Sequence, residues 1–77
     1  MKEIQLYGQI GREVTDSEFI SQINELDNQD FTLRVNSPGG AVFSGYAIYN
    51  ALKEYNGSIT VIIDGVAASM ASVICLA

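Results

Sequence analysis

Phe31-Thr32-Leu33-Arg34-Val35-Asn36-Ser37-Pro38-Gly39-Gly40 is the stretch from which the fold is read. Phe31, Leu33 and Val35 alternate with Thr32, Arg34 and Asn36, which is the two-residue period of a strand. Pro38 cannot donate to a sheet ladder, so the strand is expected to stop before it. The glycine pair then lies just past the carboxyl end of a strand, where glycine most often does no more than supply a positive φ.

Upstream, Ile4 and Leu6 alternate with Glu3 and Gln5, predicting a first strand with one wet face that Gly8 and Gly11 break. Thr15-Asp16-Ser17-Glu18 has the capping-box arrangement and opens a helix expected to reach about Asp27. Phe19, Ile20, Ile23 and Leu26 recur at helical steps and face inward, leaving Ser21, Gln22, Asn24 and Glu25 wet. Downstream, a second helix is predicted from about Val42 to Tyr55, with Ala47, Ile48, Ala51, Leu52 and Tyr55 along one side, and Asn56-Gly57 stops it. Ser58 to Asp64 reads as a third strand. Its nearly continuous apolar run predicts helices over both faces, and Gly65 is expected to end it. The run from Ala68 to Ala77 is predicted as a third helix that starts at or just before Ser69. The order βαβαβα implies an α/β fold with parallel strands and right-handed crossovers, whose sites form at the carboxyl ends of the strands. Two turns meet that description: Gly39-Gly40, and the segment Gly65-Val66-Ala67-Ala68-Ser69-Met70.

Seventy-seven residues suffice for one domain at most. Nine acidic and four basic residues give a net charge of -5, and Lys2, Arg12, Arg34 and Lys53 are scattered. That distribution argues against binding to nucleic acid or to an anionic membrane surface, both of which need clustered cations. The single cysteine, Cys75, lies in an apolar run and reads as a small buried hydrophobe, which suits a reducing, cytoplasmic setting. No signal-peptide core precedes Gly8. Residues 59–77 form the one candidate membrane span, but Asp64 and the clustering of β-branched residues before Gly65 favour a strand, a turn and a helix. No cofactor or metal ligand set is read from the chain. It ends in Ile74-Cys75-Leu76-Ala77 with neither a cap nor a polar terminus, so truncation is expected.

The chemistry-bearing residues lie on the two turns. Nothing large shields the amides of Gly39 and Gly40, and the helix beyond them points them toward the next strand end, where an oxyanion could sit. The lysine and spacing of a phosphate loop are missing. Ser69 stands at a predicted helix start, where capping is the commoner role for a serine. A catalytic reading gains from its small neighbours Ala67, Ala68 and Ala71, which leave room for a substrate carbonyl, and from the Met70 amide beside it. The surroundings are not a G-x-S-x-G elbow. There is no histidine in the chain, so Ser69 has no evident base and the pair of turns reads as half of an active site. Asp64 reads as a turn or edge residue. Ser37, Ser44 and Ser72 also lack a base, and Tyr46, Tyr49 and Tyr55 read as half-buried packing.

Taken together, Asn36-Ser37-Pro38-Gly39-Gly40, Gly45 with Ala47-Ile48-Tyr49-Asn50, Asp64-Gly65 and Ala67-Ala68-Ser69-Met70 resemble the front part of the Clp protease proteolytic subunit family. Ala71 and Ser72, after Met70, look closer to its phage and prophage head-maturation branch. The resemblance implies a serine endopeptidase of the ClpP/crotonase fold, with Ser69 matching the nucleophile and Gly40 and Met70 matching the oxyanion-hole amides. The family's histidine and aspartate lie farther along than this chain reaches, and no residue here matches them, so the chain alone is expected to be inactive. The resemblance also implies a homo-oligomeric ring, a protein or peptide substrate, no cofactor, and either a Clp-type ATPase partner or, in the phage branch, capsid or scaffold proteins. Two alternatives stand beside it. One is a crotonase-like acyl-CoA enzyme, disfavoured by a serine at position 69; the other is a non-catalytic structural subunit in which Ser69 only caps a helix.

Overall fold

In the computed structural model, residues 2–77 are described. The elements are β1 (Lys2–Tyr7), α1 (Asp16–Glu25), β2 (Phe31–Ser37), α2 (Val42–Glu54), β3 (Ile59–Ala67) and α3 (Met70–Ile74). The three strands are parallel and lie in the order β1-β2-β3. That order decides where the helices go. Each crossover advances one strand in the same direction, and right-handed crossovers of that kind put every helix on the same face of the sheet.

The buried face carries Ile4, Leu6, Phe31, Leu33 and Val35, which pack with Phe19 and Ile23 of α1, Ile48 and Leu52 of α2, and Met70 and Ile74 of α3. The alternation in β1 and β2 is what coverage on one side demands, because every second residue must face water. Thr15 caps α1: the Glu18 N–H donates to Thr15 Oγ1 at 3.3 Å, and that hydroxyl donates to Glu18 Oε1 at 3.0 Å. Thr15→Ala is expected to lower the unfolding free energy by about 1 kcal/mol; an unchanged urea midpoint would remove the cap from the account. The helix ends at Glu25, a little before the expected Asp27, because Asp27 and Asn28 turn to positive φ, 49° and 63°.

The third strand departs from expectation. It is not covered on both faces: Val61, Ile62, Ile63 and Val66 are all exposed, Ile63 by 52%. The strand pairs with β2 along one edge only; Val61 and Ile63 share the helix-side face with their register partners Leu33 and Val35 yet lie at the sheet edge where the helices leave them uncovered, while Ile62 faces the bare side beside Arg34. Nor does Gly65 end it. Val35 pairs with Ile63 and Ser37 with Ala67, so residues 64–66 bulge opposite the single residue Asn36. A bulge bends a strand and re-aims the chain beyond it, here the segment leading to Ser69. The third helix is shorter than expected, five residues from Met70 to Ile74 rather than the whole run to Ala77.

On the wet face, Arg34 of β2 joins both neighbouring strands, with Nε 3.0 Å from Glu3 Oε2 and Nη1 2.7 Å from Asp64 Oδ1. The Tyr7 hydroxyl donates to Asp64 Oδ2 at 2.5 Å. That hydrogen bond, and then the one from Arg34, hold the Asp64 carboxyl below the usual carboxylate range. A carboxylate whose pKa falls on folding stabilises the fold above its unfolded value, and the contribution disappears as pH drops through the folded one. Asp64→Asn is therefore expected to flatten the loss of stability below about pH 4. Superimposable acid limbs for the two proteins would contradict the assignment.

Candidate active site

The glycine turn is anchored on its β1 side. Ile10 N donates to Gly39 O and Ala41 N donates to Ile10 O, each at 2.8 Å, so Gly40 forms a parallel bridge with Ile10. In such a bridge the groups flanking Gly40 point to Ile10, and Gly40's own N–H points the opposite way, the side on which β3 lies. Gly39 and Gly40 hold φ of 107° and 145°, values L side chains rarely adopt.

Gly39 backs directly onto the serine turn. A Cβ there would stand 2.8 Å from Ser69 Cβ, 3.0 Å from Ala68 O and 3.2 Å from Met70 N. Only a residue without a side chain allows that approach. On the other side of the turn, Met70 is buried against α2, where Gly45 makes room: a Cβ on Gly45 would fall 2.1 Å from Met70 Cγ. The side chain of Met70 is thereby fixed inside the core while its amide opens α3. Among the described residues, neither the Gly40 N–H nor the Met70 N–H donates to another group. The fold thus brings the glycine turn, Ser69 and the Met70 amide together at the carboxyl edge of the sheet.

Ser69 is exposed and conformationally unusual, with φ 51° and ψ -123°. A non-glycine residue held there costs on the order of 1–3 kcal/mol, and such strain collects at functional sites. It occupies the N-cap position of α3, yet its side chain makes no capping hydrogen bond. The commoner role for a serine so placed is therefore not in use. Instead its carbonyl is held, accepting from Ser72 N at 3.1 Å and from Ser72 Oγ at 2.6 Å.

The other sequence candidates fall elsewhere. Asp64 is committed to Tyr7 and Arg34. Tyr55 packs edge-on against Phe31 with ring centroids 5.2 Å apart, and its hydroxyl donates to Gln29 O. Burial raises the pKa of the half-buried Cys75 thiol, the opposite of what a reactive thiolate needs. No helix among the described residues is long and apolar enough to cross a membrane.

One residue of the site escaped the sequence reading. Ser37 is completely buried; its Oγ donates to Gly8 O at 2.6 Å and accepts from Gly39 N at 3.2 Å. A signal for it existed, because the alternation that turns Phe31, Leu33 and Val35 inward also turns position 37 inward. A hydroxyl at such a position needs partners.

Comparison with known proteins gives this arrangement a context. The family model described as Clp protease matches residues 1–77. An ATP-dependent Clp protease proteolytic subunit from Ligilactobacillus salivarius is 37% identical over 78 residues, covering 96% of this chain and 39% of the relative. Among solved structures, the ClpP protease catalytic domain from Plasmodium falciparum superposes with a TM-score of 0.85 at 38% identity, covering 95% of this chain and 43% of that one. ClpP1 from Listeria monocytogenes does so with a TM-score of 0.86 at 28% identity, covering 94% and 44%. The chain thus spans well under half the length of the proteins it matches.

Proposed function

The chain belongs to the Clp protease family, and from that premise we propose that it carries the nucleophile and the oxyanion-binding half of a Clp-type serine endopeptidase. The observation that carries the reading is Ser69 itself: strained, exposed, free of any capping role, and pressed against a glycine turn. In this reading Ser69 Oγ attacks the scissile carbonyl while a general base takes its proton. The carbonyl oxygen, now negative, accepts from the Gly40 and Met70 N–H groups. Collapse of the tetrahedral intermediate breaks the C–N bond, the protonated base returns its proton to the leaving amine, and water later hydrolyses the acyl-Ser69 ester.

A histidine base comes from outside these 77 residues, since the chain contains no histidine, and the resemblance to the Clp protease family supports the same origin for the carboxylate that orients it. On its own the chain is inactive. The protein acts as a homo-oligomeric ring in the cytoplasm, with ATP dependence supplied by a Clp-type ATPase partner that feeds it unfolded protein. The alternative to an ATPase-fed ring is the phage head-maturation branch, whose substrates are capsid or scaffold proteins and which Ala71 and Ser72 after Met70 support.

A fluorophosphonate probe tests the reading, because it phosphonylates only an activated serine, whose oxygen displaces fluoride from phosphorus. The protein carrying these residues, expressed at its full encoded length, should be labelled at Ser69 and should cleave peptides; the isolated 77 residues should do neither. A folded full-length protein that resists the probe would remove the hydrolase and leave the crotonase-like or structural alternative.

A further inference from the structure

We propose that the dipeptide Asn36–Ser37 is the positioning element of the site, locking the glycine turn and the serine turn to each other. The inference rests on the reading of Ser69 as nucleophile and extends it to residues that touch neither substrate nor reacting atoms. Five hydrogen bonds converge on these two residues. Gly8 N donates to Asn36 O at 3.0 Å and Ser37 Oγ donates to Gly8 O at 2.6 Å, so the chain leaving β1 is held through both its polar groups. Gly39 N donates to Ser37 Oγ at 3.2 Å. Val66 N donates to Asn36 Oδ1 at 3.2 Å, and Ala68 N donates to Ser37 O at 3.2 Å, one residue before Ser69.

The two side chains leave opposite faces of β2, Ser37 toward the core and Asn36 toward water. Each serves a backbone group that a functional turn has orphaned. The bulge in β3 sets residues 64–66 against Asn36 alone, which takes Val66 N–H out of the regular ladder, and the Asn36 amide oxygen receives it. Gly65 fits over that amide because a Cβ there would lie 2.6 Å from Asn36 Oδ1. The turn after Pro38 likewise lifts Gly39 N–H away from strand pairing, and the Ser37 hydroxyl receives that one. Without these two bonds the Gly39-Gly40 peptide would keep only its backbone anchors on Ile10, and the Val66–Ser69 segment only the Ala68 bond to Ser37 O, so each turn would hold its groups less firmly. Preorganised donors lose about 10²-fold in rate for a misplacement of about 1 Å.

Amide hydrogen exchange followed by NMR on the 77-residue chain, paired with peptidase kinetics on the full-length protein, tests the proposal. Ser37→Ala should speed exchange at Ile10, Gly39 and Ala41 by about tenfold or more relative to Leu33 and Val35, and Asn36→Ala should do the same at Val66 and Ala68. Both should lower kcat by about 10- to 100-fold with KM within about twofold. Asn36→Asp keeps the acceptor and should restore most of kcat; if Ser37→Ala fails to fold, the two Asn36 variants carry the test. Uniform acceleration of all amides, or selective acceleration with unchanged kcat, overturns the positioning role while leaving the serine-hydrolase reading intact. A wild-type protein that neither labels nor cleaves removes that reading, and the proposal with it.

Discussion

Gly40→Ala is expected to lower stability by about 3 kcal/mol or more. Two costs add. At φ 145° an L residue is strained wherever it sits, by about 1–3 kcal/mol. The new methyl would also stand 2.2 Å from Ile10 O and 2.6 Å from Ile10 N, and these are backbone atoms that no rotamer change can move. Relief requires the turn to lift off Ile10, which breaks the two bonds that aim Gly40 N–H. A domain of this size has on the order of 4–12 kcal/mol of stability in total, so a large share would go. Urea unfolding measures the loss, and amide exchange at Ile10 and Ala41 shows whether the anchor opens. A loss under about 1 kcal/mol would mean that the turn is not pinned as described.

The same substitution shows which parts of this molecule a sequence reveals. The strand-forming alternation of β1 and β2, the capping box at Thr15 and the turn at Pro38 are local signals, written within a few residues, and each has its counterpart in the fold. Strand order is not local. The order β1-β2-β3 leaves one face of the sheet bare and β3 at an edge that the helices do not fully cover, and an apolar run such as Ile59 to Ile63 reads the same in a central, doubly covered strand and in an edge strand. The bulge at 64–66 was hidden for a related reason: Asp64-Gly65 looks like a strand end, and only pairing with β2 shows the strand continuing to Ala67. At the candidate site, the residue types of both turns and their shared sheet edge were legible, and the direct contact of Gly39 with Ser69 was not. Gly39 meets Ser69 because two turns thirty residues apart in sequence occupy one sheet edge, and Ser37 matters because its burial makes its two hydrogen bonds obligatory.

Ser69 itself gives the largest expected effect on activity. In the full-length protein Ser69→Ala should reduce kcat by about 10⁴-fold or more, the scale set by removing the nucleophile of a serine protease. Stability separates this from the capping alternative. A cap replaced by alanine loses about 0.5–2 kcal/mol and by glycine only a few tenths, so both variants would fall below the wild type. The observed geometry argues for another order. Ser69 Oγ makes no capping bond, so alanine should change stability by less than about 0.5 kcal/mol. At φ 51° and ψ -123°, glycine should relieve strain worth more than the chain entropy it adds, leaving Ser69→Gly about 1 kcal/mol more stable than the wild type. A site that gains stability when Ser69 is replaced is holding that residue in place at a cost. A Ser69→Gly protein less stable than the wild type would instead return Ser69 to the role of a helix cap.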